Sequence, residues 1–503
     1  MLRVDWRAAL GYTGRVLTWF AATLALPAAV ALLADEALRP FAATGLFVLA
    51  VGLGLSRLGE TDGLGPREAI LTVALVWFAV GALGALPYVL AGSGTTARPV
   101  NAVFESFSGF TTTGATVMAS ISVETHGAAL MLWRQETQWL GGMGIVVLAV
   151  ALFPELSVGG TRLVGAEAPG PRTQKLTPRI VETARVLWLT YVALTALEVV
   201  ALYGLHLAGL APRMDLYAAV AHGFTTMPTG GFSPQARSVA AFSAAVQWVV
   251  VPFMVVAGVN FALFYRAFDD RSLAAFREDT EFRAYLGVLG AAVALVAGLL
   301  VVGDTRASLA GDGFALARHA TFQAISIVTT TGYASADFAT WGVPIQTLLV
   351  VAMFLGGSAG STASAVKIVR WVVVSKSIRR TLLTTAHPAA MQPVRLGDDL
   401  LDERTVRGVH AFTLLYLLLF VVGTLAVLAL GTTDGTSLSA LEAASAAAAT
   451  LGNVGPGVGT VGPMENYLGF PASTKLLLAA LMYLGRLEVL TVLVLFTESY
   501  WRV

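Results

Sequence analysis

Ten apolar stretches, each about long enough to cross a bilayer, leave this chain few folds to choose from. They lie at roughly 14–34, 39–56, 69–92, 127–154, 183–208, 240–265, 282–303, 342–374, 406–431 and 472–500. A helix needs about 20 predominantly apolar residues to span hydrocarbon, and there every backbone N–H and C=O must be satisfied internally. Of the 503 residues, 56% are hydrophobic and 13% charged, against about 25% charged in soluble domains. The expected fold class is therefore an all-α integral membrane protein whose main solvent is lipid. A net charge of +1 offers no field to draw in nucleic acid. The absence of cysteine removes disulfides, thiolate metal sites and cysteine nucleophiles. The six histidines are scattered without ligand spacing, and Met1 to Asp5 lacks the pattern of a cleaved signal.

The last eight spans form four pairs, and each pair encloses a short stretch rich in threonine and glycine. These are Thr111-Thr112-Thr113-Gly114-Ala115-Thr116, Thr225-Thr226-Met227-Pro228-Thr229-Gly230-Gly231-Phe232, Thr329-Thr330-Thr331-Gly332-Tyr333 and Thr450-Leu451-Gly452-Asn453-Val454-Gly455-Pro456. They are too short and polar to cross the bilayer. Each reads as a half-helix going in and an extended return, a geometry tolerated only inside protein or beside a water-filled cavity. The expected architecture is ten transmembrane helices plus four re-entrant pore half-helices. A leading helix pair (1–60) precedes four membrane–pore–membrane repeats at 61–160, 161–275, 276–385 and 386–503.

Charge orients the array. Of the 32 lysines and arginines, 23 fall on the side of the N-terminus and 7 on the other, while Arg134 and Arg486 lie within spans. The positive-inside rule then puts both termini in the cytoplasm and all four short stretches on the outer side. The longest inner segments, 156–182 and 375–405, are expected as loops. They act as solvated connectors or as a docking surface for a cytoplasmic partner.

Threonine and glycine suit a dehydrated cation. Such an ion needs several oxygens to replace its water, and inward-facing backbone carbonyls supply rings of them. Glycine permits φ > 0, so successive carbonyls can face one way. A half-helix entering from outside turns its partially negative C-terminus toward the ion. None of the four stretches contains a carboxylate, which would hold a cation too tightly to release it. One Thr-Thr-Gly alone would be a turn; four, all on one side and all between span pairs, point to an ion pathway.

In these residues the chain resembles the TrkH/KtrB superfamily of bacterial K⁺ uptake proteins, over roughly residues 60–503. The extra leading pair resembles its TrkH branch. The resemblance implies K⁺ uptake across the cytoplasmic membrane through a filter at Thr111, Thr112, Thr113 and Gly114; Pro228, Thr229 and Gly230; Thr330, Thr331 and Gly332; and Asn453, Val454 and Gly455. The K⁺ ligands would be the carbonyls of Thr112, Thr113, Pro228, Thr229, Thr330, Thr331, Asn453 and Val454. The second and fourth stretches depart from Thr-Thr-Gly, which implies looser discrimination of K⁺ from Na⁺. The family also implies a homodimer with one pore per protomer, and cytosolic TrkA-type regulatory subunits. Those would carry the nucleotide sites, for NAD(H) or ATP/ADP, with none on this chain.

The segment 342–374 is long for one span, and its centre, Gly356 to Ser364, is dense in glycine and serine, which weaken a helix. A broken helix with a loop beneath the filter is expected; a tight small-residue helix crossing is the alternative. By resemblance the gate comprises Gly356, Gly357, Ser358, Gly360, Ser361, Thr362 and Arg486. Arg486 sits midway along the last span, where a charge is costly and must face the bundle interior or water. It would raise a barrier to K⁺, pair with Glu488 or a backbone carbonyl, or both. Glu105 and Glu442 suit the positive ends of their half-helices. Arg134, Glu136 and Glu198 are expected as interfacial or interhelical partners. Gly457 to Gly462 fits G-x-G-x-x-G but lacks the strand and helix of a dinucleotide site. No ATPase loop and no catalytic pairing is evident, so an enzyme is not expected. A K⁺/Na⁺ or K⁺/H⁺ symporter of the same fold, and a non-transporting scaffold or integral enzyme, are the rival functions.

Overall fold

The computed structural model describes residues 4–59, 64–152, 178–303, 312–389, 392–397, 399–433, 435 and 437–502. The expected inner loop at 156–182 lies outside the described residues up to 177. Among the described residues, six helices are long and apolar enough to cross a membrane: Trp6–Leu33, Arg39–Ser56, Pro66–Ala91, Ala184–Leu207, Thr280–Val302 and Glu403–Leu430. They expose large apolar side chains such as Trp19, Leu33, Leu46, Leu207, Val302 and Leu414. In water such surface invites aggregation; in a bilayer it is the lipid face. Ala128–Leu152 forms a seventh long helix, carrying Arg134 and Glu136.

Three of the expected single spans are broken. In the second repeat, Ala244–Ala257 and Phe261–Asp269 meet at 86°. Gly258 ends the first helix, and Asn260 caps the second by accepting from Ala262 N–H at 2.9 Å. In the fourth, Ala472–Arg486 and Leu490–Phe496 meet at 105°. The chain reverses there because Glu488 and Val489 take φ of 57° and 49°, a left-handed region costly for a β-branched residue. In the third, Val343–Ala352 and Ile368–Ala386 flank an irregular loop, the broken helix that its glycines and serines predict. The inner segment 375–405 departs from a plain loop. It is helical to Ala386 and holds a hairpin pairing Arg395–Leu396 with Asp399–Leu400.

Four short helices run into the centre: Pro99–Phe110, Leu216–Thr226, Gly313–Val328 and Ala440–Leu451. Their starts are chemically marked. The first opens on Pro99, whose missing N–H costs nothing at a helix start. Asp215 and Asp312 accept from Ala218 N–H (2.8 Å) and Phe314 N–H (2.9 Å). Ser439 and Glu442 form a reciprocal capping box. The final turns of three of them, at 105–110, 323–328 and 445–451, are wholly buried, and that of Leu216–Thr226 is buried but for part of Phe224. These pore helices are therefore walled by the longer ones rather than by lipid.

Candidate functional site

Every pore helix ends in the same backbone figure. The N–H groups of Thr113 and Gly114 both donate to Ser108 O, at 2.8 and 3.5 Å. Gly230 and Gly231 donate to Thr225 O at 2.9 and 3.2 Å, and Thr331 and Gly332 to Ser326 O at 2.9 and 3.2 Å. Val454 and Gly455 donate to Ala449 O at 2.8 and 3.3 Å. Just before these donors a non-glycine residue turns left-handed: Thr112 (φ 53°), Thr229 (56°), Thr330 (58°) and Asn453 (53°). Two residues later a glycine does the same: Gly114 (83°), Gly231 (75°), Gly332 (77°) and Gly455 (100°). Four copies of an uncommon conformation, held by one hydrogen-bond pattern, mark a functional constraint rather than four accidents.

The pattern sets the register. In conformation and bonding, Gly231 is the partner of Gly114, Gly332 and Gly455. Gly230, expected in that place, sits one residue early, level with Thr113, Thr331 and Val454. The second repeat's carbonyls at the two matching positions are those of Thr229 and Gly230, so Pro228 falls one position outside the pair expected from sequence.

Contacts between repeats close the figure into a ring. A methyl group on Gly114 would overlap the carbonyl oxygen of Gly230; one on Gly231 would overlap that of Thr331. One on Gly332 would overlap that of Val454, and one on Gly455 that of Thr113. The sequence of contacts runs from first repeat to second, third, fourth and back to first. The carbonyls of Thr113, Gly230, Thr331 and Val454 thus form one closed ring. The glycines are required twice over, by their φ and by the oxygen packed against them. Behind the ring, hydroxyls brace the loops. Thr111 and Thr113 Oγ1 lie 2.7 Å apart, as do Thr329 and Thr331 Oγ1 at 2.8 Å. Asn453 Nδ2 donates across repeats to Thr113 Oγ1 at 3.0 Å. On the mouth side a cavity is lined by all four left-handed glycines together with Arg134 and Glu465.

Glu105 is not a helix-start charge. It lies past the middle of its pore helix, fully buried, 2.7 Å from Arg134 Nε. Its carboxylate also accepts from Val117 N–H (2.9 Å), and Arg134 donates to Ser233 O at 3.0 Å. The pair therefore ties the return strand of the first repeat to that of the second. Glu198 is fully buried, with the Thr226 side chain beside its carboxylate.

Below the ring the Gly/Ser loop is held from every side. Its ends pair, with Gly356 N–H donating to Val366 O at 3.0 Å. Within it, Ser361 Oγ donates to Ser358 O at 2.6 Å. The break in the second repeat supplies its dock. Ser358 N–H donates to Gly258 O at 2.8 Å, and Phe261 N–H donates to Gly360 O at 3.1 Å. Thr362 Oγ1 lies 2.9 Å from Met227 O and 3.0 Å from Ala257 O, while Ser364 N–H donates to Thr330 Oγ1 at 2.9 Å. The loop thus bonds directly to the base of the ring. Arg486 completes the closure by donating to Thr362 O (2.8 Å), Ser364 Oγ (2.8 Å) and Gly141 O (3.0 Å). Glu488 turns instead to Arg370, at 2.5 Å, so of the two pairings open to Arg486 the structure has the backbone carbonyls, with the Ser364 hydroxyl beside them.

Three residues that sequence reading passed over belong here. Asn260 caps the docking break. Glu281, buried, accepts from Ala359 N–H (2.7 Å) and Val369 N–H (3.0 Å), stapling the loop to the helix after it. Gln138 touches the ring itself. The one available signal was a polar side chain inside an apolar run, as with Asn260 after Val259.

Four inward half-helices, a closed ring of carbonyls at their tips and a bonded loop beneath it define a multi-pass membrane protein of the cation-transport class. The chain belongs to the TrkH family of cation transport proteins, whose model matches residues 41–503. It is 38% identical to the Trk system potassium uptake protein TrkH of Escherichia coli K12, across 99% of this chain and 100% of that protein. To the TrkH of Halomonas elongata it is 37% identical, across 99% of each. The crystal structure of the potassium transporter TrkH from Vibrio parahaemolyticus superposes with a TM-score of 0.87 at 34% identity, covering 99% of this chain and 100% of that one.

Proposed function

We propose that this chain carries K⁺ into the cell through the carbonyl ring, with the loop 356–364 and Arg486 as its gate. The closed ring is the observation that carries the reading, since it brings four backbone carbonyl oxygens together, one from each repeat, with no fixed negative charge. The K⁺ ligands are the carbonyls of Thr112 and Thr113, Thr229 and Gly230, Thr330 and Thr331, and Asn453 and Val454. Among the described residues, the buried Thr112 Oγ1 has no hydrogen-bond partner and is a further oxygen that suits a cation as cargo. The names of the relatives point to the same ion. The leading pair and the four repeats, divided at 60, 160, 275 and 385, are the units from which the pathway is built.

The protein sits in the cytoplasmic (inner) membrane with both termini inside, on the weight of its lysine and arginine distribution. It works as a homodimer with cytosolic TrkA-type subunits, which bind the controlling nucleotide. Liposome flux of K⁺, Rb⁺, Na⁺ and Li⁺, with and without that subunit, tests the reading. K⁺ and Rb⁺ flux that rises when the subunit binds its nucleotide is expected. Absence of K⁺ flux under every condition, together with failure to rescue K⁺-uptake-deficient cells, would reject transport.

A further inference from the structure

The ring is not fourfold in its electrostatics. Gln138, on Ala128–Leu152, is fully buried and spans two atoms of the second filter stretch. Its Nε2 donates to Gly230 O at 2.7 Å, and its Oε1 accepts from Phe232 N–H at 3.0 Å. The Phe232 N–H can only donate, so the orientation of the amide is settled and an N–H must face Gly230 O. Among the described residues, the other ring carbonyls, of Thr113, Thr331 and Val454, take no such donor. The arrangement also explains why the second stretch reads Thr-Gly-Gly. A side chain at 230 would overlap the Gln138 amide, so the residue level with Thr113, Thr331 and Val454 must be glycine.

We infer that Gln138 sets the ion preference of the filter by weakening one carbonyl of the ring. This rests on the reading of the ring as the ion site. An N–H on Gly230 O draws on the same lone pairs a cation needs and places a positive dipole end beside it. That corner of the ring becomes the weakest donor. Selectivity among alkali cations follows the number and field strength of the oxygens. A lowered field penalises the small, strongly hydrated ions most, and favours K⁺ and Rb⁺ over Na⁺ and Li⁺. Asymmetry in this filter is therefore built by a side chain from the neighbouring helix as well as by the filter residues.

The experiment is relative flux of Li⁺, Na⁺, K⁺ and Rb⁺ in liposomes for wild type, Gln138→Met and Gly230→Ala. Methionine keeps the length and loses the donor. Alanine at 230 pushes the amide off the carbonyl from the other side. Both should shift preference in order of ion size, raising Na⁺ over K⁺ by about two- to tenfold, the range that one hydrogen bond corresponds to, and lowering Rb⁺ over K⁺. Unchanged ratios in folded variants would overturn the inference. So would ratios that all move toward one another regardless of size, because that is what loss of a mere brace would produce. A wild type that conducts while the variants keep its ratios sinks this inference alone; a wild type that never conducts sinks the transport reading.

Discussion

Arg486 donates to the carbonyl of Thr362 at 2.8 Å, joining the end of the helix Ala472–Arg486 in the fourth repeat to a loop from the third. The same guanidinium reaches Gly141 O in the first repeat at 3.0 Å. One guanidinium thus joins the first, third and fourth repeats below the ring. A barrier made only of charge and a latch made of directed hydrogen bonds give different mutant behaviour. Arg486→Ala should raise K⁺ flux in the absence of any activating nucleotide. Arg486→Lys keeps the charge but loses the planar fork. On the latch account it should leak nearly as much as alanine; wild-type tightness in the lysine variant would leave charge alone as the gate.

Thr362 places its hydroxyl against both Met227 O and Ala257 O. Thr362→Val preserves shape and removes that bond, whose net worth is about 0.5–1.5 kcal/mol. The open fraction of a closed gate should rise about two- to tenfold, measured as basal flux without the regulatory subunit. Filter selectivity should stay as it was.

Glu281 staples the loop at Ala359 and the following helix at Val369. Glu281→Ala leaves two buried N–H groups without partners, at about 1–3 kcal/mol each. The expected result is a leaky gate and faster hydrogen exchange across residues 356–369. Exchange unchanged in that segment would remove Glu281 from the gate.

Glu105 and Arg134 lie buried 2.7 Å apart behind the first two filter stretches. Removing one partner strands a charge, so Glu105→Gln or Arg134→Met should each cost about 3–5 kcal/mol. The double variant should recover much of that. Thermal unfolding in detergent reads the difference, and strictly additive losses would argue against the pair as the unit.

At Gly114 a side chain meets both a φ of 83° and the Gly230 carbonyl. Gly114→Ser should weaken K⁺ affinity or lower discrimination against Na⁺ by about tenfold, one misplaced oxygen of a ring being on the order of 1.4 kcal/mol. Competition of Na⁺ with K⁺ or Rb⁺ uptake measures this. A folded variant with wild-type affinity and selectivity would displace the filter from this loop.

How far the molecule was legible follows from the range of each interaction. Membrane class, the spans, the four short half-helices and the Gly/Ser break rest on local composition and length, because hydrocarbon forces the backbone to satisfy itself along a segment. Their residues could therefore be named in order along the chain. The second filter's register could not, since Thr229-Gly230-Gly231 offers two glycines and local chemistry cannot say which must be left-handed. The choice falls to Gly231 because that residue packs on the Thr331 carbonyl of the next repeat, while Gly230 is needed where the Gln138 amide, from another repeat, leaves no room for a side chain. The bends at Gly258–Asn260 and at Glu488–Val489 were equally hidden, for the carbonyls and charges that make them worthwhile belong to the loop at 356–364 and to Arg370. Whether Arg486 answers Glu488 or the loop was a contest between a neighbour in sequence and partners more than a hundred residues away. Sequence by itself determined that four Thr/Gly loops would turn inward in a membrane. Only the tertiary structure decided that they close into one ring, because each ring contact pairs a glycine with a carbonyl from the next repeat, and such distances exist only once the chain is folded.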